Sequence, residues 1–175
     1  GLVARGWMRS AGEWLARGYY NANSQIVVRL LTWRRDEVPA GLAEAAFWRS
    51  RLAAAAAMRG ELYLESETAA YRLVYAESDG VPGLIVDRYA DWLVVQFLTL
   101  GVEVRRDLLL GLLVELFAPR GIVERSDASV RRQEGLALRS GLAWGEAPPP
   151  ALEIREHDLR FQVDLLGGQK TGFYV

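Results

Sequence analysis

Near the end of the chain, the stretch GGQKTGFYV (167–175) sets amide, ammonium and hydroxyl donors at Gln169, Lys170 and Thr171 between glycines. Gly168 and Gly172 lack a Cβ, so main chain can approach a ligand closely there, while the three side chains supply donors. Lys170 is the only lysine, against twenty arginines, and a lone ammonium suits a carboxylate or a phosphate. The segment is not a nucleotide-cradling P-loop. That motif needs glycines where Asp164 and Gln169 stand. A structural turn after a hairpin competes with the ligand-loop reading.

Three further stretches hold residues suited to recognition. In RGYYNANSQ (17–25), Arg17, Tyr19, Tyr20 and Asn21 could stack on and hydrogen-bond exposed bases. The competing reading puts one tyrosine in a core and the other at a turn. In ERSDASVRRQEGL (124–136), Arg125, Arg131 and Arg132 leave a strand end and could contact phosphates, or could line a solvated loop. Glu77 and Asp79 mimic a catalytic carboxylate pair, but Gly80 breaks the strand beside them and a turn is the better reading. His157, the only histidine, lies between Glu156 and Asp158 and reads as a solvent-facing hairpin tip.

Composition narrows the classes. Net charge is −1, so bulk electrostatics give no argument for a nucleic-acid partner. The absence of cysteine excludes a disulfide framework, a thiolate metal site and a cysteine nucleophile within these residues. With one histidine, zinc hydrolysis and a Ser-His-Asp relay are disfavoured as well; no metal site is expected. No apolar run reaches the roughly 18–20 residues that span a bilayer, so the expectation is a soluble cytoplasmic protein without a membrane partner.

These residues need elements to hold them. Residues 13–33 read as two strands around the NANS turn, with another short strand upstream. The alanine-rich segment 42–64 spaces Leu42, Ala45, Leu52, Ala56 and Met58 as one helical face. From 69 onward the pattern turns to sheet: strands over AYRLVYAES, LIVDRY and WLVVQFLTL, then a helix in which Val104, Leu108, Leu112 and Leu116 recur every four residues, then a strand over IVERSD. Residues 128–150 read as irregular, and LEIREHDLRFQVDL (152–165) as a hairpin around His157-Asp158. The order strand-strand-strand-helix-strand predicts one sheet with a helix on one face.

Four separated motifs, RGYYNANSQIVVRLLTW, YRLVYAESDGVPGLIVDRY, IVERSDASVRRQEGL and GGQKTGFY, stand in the order and approximate spacing of a known family. Over nearly its whole length the chain resembles the PUA-containing, S-adenosylmethionine-dependent large-subunit ribosomal RNA methyltransferases of the 5-methylcytosine group. The resemblance implies an α+β chain: a partial PUA-like β-barrel at 1–33, a helical connector at 34–66, a small β-β-β-α-β central domain at 67–150, and at 151–175 the hairpin that would open a truncated Rossmann-like methyltransferase domain. It implies that Gln169, Lys170, Thr171, Gly172 and Phe173 border the S-adenosyl-L-methionine pocket. It implies large-subunit ribosomal RNA as partner, with Arg17, Tyr19, Asn21, Arg125, Arg131 and Arg132 as candidate contacts.

The sequence departs from the family pattern in lacking the early PUA strands, the Gly-rich cofactor loop and the catalytic cysteines, and in placing His157-Asp158 where the family tends to Asn-Gly. Cytosine C5 is a poor nucleophile, and its methylation usually requires a thiolate added at C6. The expectation is therefore an RNA-positioning portion of such an enzyme, with no catalytic residue of its own and no methyl transfer by these residues alone. A free-standing RNA-binding or assembly module is the alternative, and a cofactor enzyme of unrelated chemistry a third reading. An unfinished barrel leaves strand edges to be covered: by packing on the connector helix, by exchange with a second copy in a homodimer, or by poor order.

Overall fold

A computed structural model describes residues 4–10, 13–37, 44–62 and 69–168. Strands β1 (Ala4–Ser10), β2 (Glu13–Tyr20) and β3 (Val28–Thr32) form an antiparallel sheet in that order. Helix α1 (Glu44–Leu62) follows. Then β4 (Ala70–Tyr75), β5 (Leu84–Tyr89), β6 (Trp92–Phe97), β7 (Gly121–Ser126) and β8 (Arg139–Gly145) build a five-stranded sheet in sequence order. All its pairings are antiparallel except β6–β7. A parallel pair needs a crossover, which α2 (Leu100–Glu103) and α3 (Arg106–Phe117) provide. A short α4 (Val130–Gln133) precedes β8, and β9 (Leu152–Glu156) with β10 (Leu159–Val163) forms the expected hairpin. The result is a mixed α/β fold.

The sheet has two covered faces, and β7 explains how. Alternate strand residues point to opposite faces. Ile122 joins a core with Leu52, Leu73, Leu109 and Leu113 on the helix side. Val123 joins a second core with Trp92, Val94, Leu152, Ile154 and Leu165 on the hairpin side. Every residue of β6 and β7 is buried; β6 accordingly reads as a near-continuous apolar run, while β7 buries Glu124, Arg125 and Ser126 after its apolar start.

The elements depart from the sequence reading in particular places. Helix α1 is anchored by Phe47 and Trp48, whose rings meet edge-on at 5.0 Å, together with Leu52 and Ala55. Met58 is half exposed at 51% and lies off the buried face, and Leu42 falls outside the described residues. The predicted every-four stripe on the crossover helix also shifts. Val104 sits in the α2–α3 junction and is exposed, while Leu109, Leu110, Leu112 and Leu113 are buried. A strict period of four drifts off the face of a 3.6-residue helix. The strand read through residue 78 ends at Tyr75 and becomes a 3-10 turn over Ala76–Asp79. There Asp79 takes a two-pronged ion pair from Arg59 of α1, at 2.7 and 3.0 Å, and accepts from the Tyr75 amide at 2.6 Å. β8 replaces part of the stretch read as irregular. It is an edge strand whose residues are exposed or half-buried, so its residues carry little apolar signal.

The three-stranded sheet packs on the rest of the chain. Tyr19 and Leu31 are buried in the same core as Phe47 and Trp48, and the Arg51 guanidinium of α1 donates to the Leu31 carbonyl. No helix among the described residues is long and apolar enough to cross a membrane.

Candidate functional site

The YYNANS stretch forms a seam between the first sheet and the α/β unit. Strand alternation in β2 turns Tyr19 inward and leaves Tyr20 41% exposed. The Tyr19 phenol donates to the Pro82 carbonyl and lies 3.3 Å from Thr99 Oγ1. Burial pushes that phenol well above its ordinary pKa, so it stays a donor. Gly101 faces the Tyr19 ring, and an added Cβ would sit 2.4 Å from it. The turn beyond Tyr20 is tied down by Glu134. Asn21 donates to Glu134 Oε2 at 2.9 Å and to the Glu134 carbonyl at 3.0 Å; Ser24 donates to Oε1 at 2.5 Å. The Leu100 amide donates to Oε2 at 3.2 Å, and Arg29 lies 3.4 Å from Oε1. Burial opposes ionisation of Glu134, but the hydrogen bonds from Ser24, Asn21 and Leu100, with the Arg29 charge, hold its carboxyl below its ordinary value.

The arginines expected to meet phosphate divide. Arg131 is 1% exposed; it donates to the Phe97 and Ala137 carbonyls and pairs with Glu103 at 2.8 Å. Arg132, its neighbour, is exposed. Arg17 is half-buried, donates to the Glu37 carbonyl and lies over the Trp14 ring at 4.9 Å. Thus Tyr19, Asn21, Arg125 and Arg131 are turned into the protein, and Arg132 alone of the six stands at the surface. The sequence could not separate them because the acceptors that capture them are backbone carbonyls and carboxylates 20 to 113 residues away or brought near by turns. Glu134, which holds this seam, and Glu103, which pairs with Arg131 and Arg139 inside the α/β unit, carry no motif that would have flagged them.

Arg125 occupies the face of β7 that looks toward the hairpin, two residues along from Val123. It is 7% exposed. Its guanidinium crosses to the turn after β10, donating to the Leu165 carbonyl at 3.2 Å and the Gly168 carbonyl at 3.0 Å. Asp127 lies 3.8 Å away, and Arg125 Nε is buried with no hydrogen-bond partner. The turn closes on itself: Asp164 Oδ1 accepts from the amides of Leu166 (3.0 Å) and Gly167 (2.8 Å), and the Asp164 carbonyl accepts from Gly168 at 3.0 Å. A Cβ at residue 168 would lie 2.3 Å from the Asp164 carbonyl oxygen, so only glycine fits. Gln169, Lys170, Thr171, Gly172 and Phe173 lie outside the described residues. His157 is exposed at the β9–β10 tip with φ 51°, as a two-residue hairpin turn requires. A 450 Å³ cleft beside α2 and α3 is lined by Glu44, Glu103, Arg105, Arg106 and Arg139. Its arginines are engaged with Glu44, Glu124 and Glu103.

A mixed α/β chain whose first strands form a separate small sheet fits a PUA-like segment joined to a second unit, and a PUA-like domain model matches residues 8–33. Nearly the whole chain has named homologues. It is 43% identical over 164 residues to "Ribosomal RNA large subunit methyltransferase I" of Aliivibrio fischeri (strain MJ11), and 45% identical over 165 residues to the protein of the same name from Tolumonas auensis. Each match covers 94% of this chain, but the chain spans only 40% and 41% of those relatives' lengths. The fold is shared with a candidate SAM-dependent methyltransferase from Streptococcus mutans (TM-score 0.72, 19% identity, 90% of this chain and 39% of that one). It is shared also with SMU.776, a candidate methyltransferase solved in complex with SAH (TM-score 0.74, 19% identity, 92% and 39%).

Proposed function

We propose that these residues are the RNA-handling and central portion of an S-adenosylmethionine-dependent methyltransferase acting on large-subunit ribosomal RNA in the cytoplasm. The observation that carries this reading is the 43% identity to ribosomal RNA large subunit methyltransferase I across 94% of the chain. Identity at that level over both the small sheet and the α/β unit favours an enzyme portion over a free-standing binding module. Within this reading 1–33 is the PUA-like part, 34–66 the connector, 67–150 the central domain, and 151–175 the approach to the methyl-donor pocket.

Bound S-adenosylmethionine supplies an electrophilic methyl group on a sulfonium. The chain's own contribution is placement. The turn at 164–168 offers a close main-chain path with its carbonyls already committed to Arg125, which fits the entry to a ligand-bordering loop. Gln169–Phe173 supply the contacts to the donor, and the exposed Arg132 is a phosphate contact for RNA. The target atom in this reading is cytosine C5, whose activation needs a thiolate; the chain contains no cysteine. Holding acceptor and donor in line can contribute about 7–11 kcal/mol of barrier reduction, and both parts must be present to realise it.

A methyl-transfer assay with labelled S-adenosylmethionine and large-subunit ribosomal RNA tests this. The expected result is no incorporation by the 175-residue chain, and incorporation at cytosine when the chain is joined to the remaining length of a relative. Turnover by the 175 residues alone, or none by the joined protein, would contradict the reading.

A further inference from the structure

The loop after β3 holds an aromatic ring in solvent on an anchored backbone. Trp33 is 70% exposed, more than any other large apolar side chain among the described residues. Its main chain is fixed on both sides. The Trp14 indole of β2 donates to the Trp33 carbonyl at 3.1 Å, and the Arg34 amide donates to Thr32 Oγ1 at 3.0 Å. Farther on, Glu37 pairs with Arg51 of α1 at 3.0 Å, and its carbonyl accepts from Arg17. Leaving an indole in water forgoes the gain from burying it, and the ordered loop beneath it offers no cover. The charges of the loop are matched except at one residue. Arg34 is set against Asp36 at 2.8 Å, and Arg51 against Glu37. Arg35 is exposed and has no ion pair among the described residues.

We infer that Trp33 and Arg35 form a contact for unpaired ribonucleotides: a base stacks on the Trp33 indole, and Arg35 meets a neighbouring phosphate. The inference rests on the RNA-handling role proposed above and adds to it a surface outside the candidate contacts at 17–21 and 125–132. Every base has a π-face, so one exposed ring accepts single strands with little regard to sequence. Bases in a duplex stay stacked on each other and offer such a ring nothing to pair with. A partner protein could also cover an exposed tryptophan. The uncompensated guanidinium beside this one favours phosphate, which Arg contacts without reading sequence.

The test measures binding of a short fluorescent single-stranded RNA, alone and annealed to its complement, to the 175-residue chain. Wild type is compared with Trp33→Ala, Trp33→Phe and Arg35→Ala, and thermal unfolding and sedimentation are recorded for each. The expected result for Trp33→Ala is a rise of about 5- to 150-fold in Kd for the single strand, the range for losing one base stack. Trp33→Phe restores most of the affinity, and the duplex is little affected by either change. Arg35→Ala flattens the slope of log K against log salt by about 0.7. Thermal unfolding stays unchanged, because the ring buries little. A wild type that binds RNA while Trp33→Ala binds it equally well would overturn the inference. So would an equal loss on single strand and duplex. If Trp33→Ala instead dissolves a self-associated species in sedimentation and leaves RNA affinity intact, the ring covers protein and the inference fails. A wild type that binds neither single strand nor duplex defeats the RNA-handling role itself, and the inference with it.

Discussion

Glu134 illustrates how a charged residue becomes structural. It accepts from Ser24, Asn21 and the Leu100 amide while Arg29 stands by, and its side chain is 3% exposed. Glu134→Gln keeps the shape but turns one acceptor oxygen into a donor facing other donors. The expected loss is about 2–3 kcal/mol in urea unfolding at neutral pH, the scale for hydrogen bonds to a charged group. Because the folded carboxyl is held below its ordinary value, its contribution is complete above about pH 4.3, the value in an unfolded chain. It is lost as pH falls through the lower folded value. Wild type and Glu134→Gln should thus converge in stability as acid is added; a constant gap across that range would refute the assignment. Nothing in RRQEGL announces this role, because the partners are 34 to 113 residues distant.

At the scale of elements, the joint between the small sheet and the α/β unit depends on the Tyr19 ring lying flat against Gly101 at the start of α2. Gly101→Ala forces the ring away from Pro82 and Thr99. The expected cost is about 1–3 kcal/mol of overpacking, with amide exchange quickening in β2 and β3 before β6 and β7. Uniform quickening would mean that the two sheets unfold as one unit. Strands β5, β6 and β7 were legible in the sequence because they are buried on both faces and rich in β-branched residues. The hairpin was legible from its turn. β8 was not, because an edge strand half in solvent needs backbone pairing more than apolar side chains, and RSGLAWG has few of them. The face of α1 was read only in part, with Leu52 and Ala56 on the core side and Met58 off it, for a related reason. Five consecutive alanines give no preferred side, and Phe47 and Trp48 settle it by volume.

For the whole molecule, the arginine excess has an internal explanation. Arg59, Arg72, Arg105, Arg106 and Arg131 each pair with a carboxylate of the same chain and are at most 28% exposed. Under the proposed RNA-handling role, a net charge of −1 offers no bulk attraction to phosphate, so any RNA affinity rests on local contacts. Each phosphate contact on single-stranded RNA contributes about −0.7 to the slope of log K against log salt. Arg132→Ala is expected to flatten the slope for a ribosomal RNA fragment by about that amount and to leave thermal unfolding unchanged. An unaltered slope in a salt titration would remove Arg132 from the interface.

The sequence by itself determined most of the element types, the hairpin and the kinship, because these rest on local periodicity, turn residues and ordered motifs. Which polar side chains face outward was decided only by the tertiary structure. Tyr19, Asn21, Arg125 and Arg131 are chemically suited to RNA, yet each finds a better-placed acceptor in the protein's own backbone or carboxylates. A hydrogen-bonding group leaves water when folding brings it a partner across the chain, and that partner's distance in sequence keeps it out of reach of any local pattern.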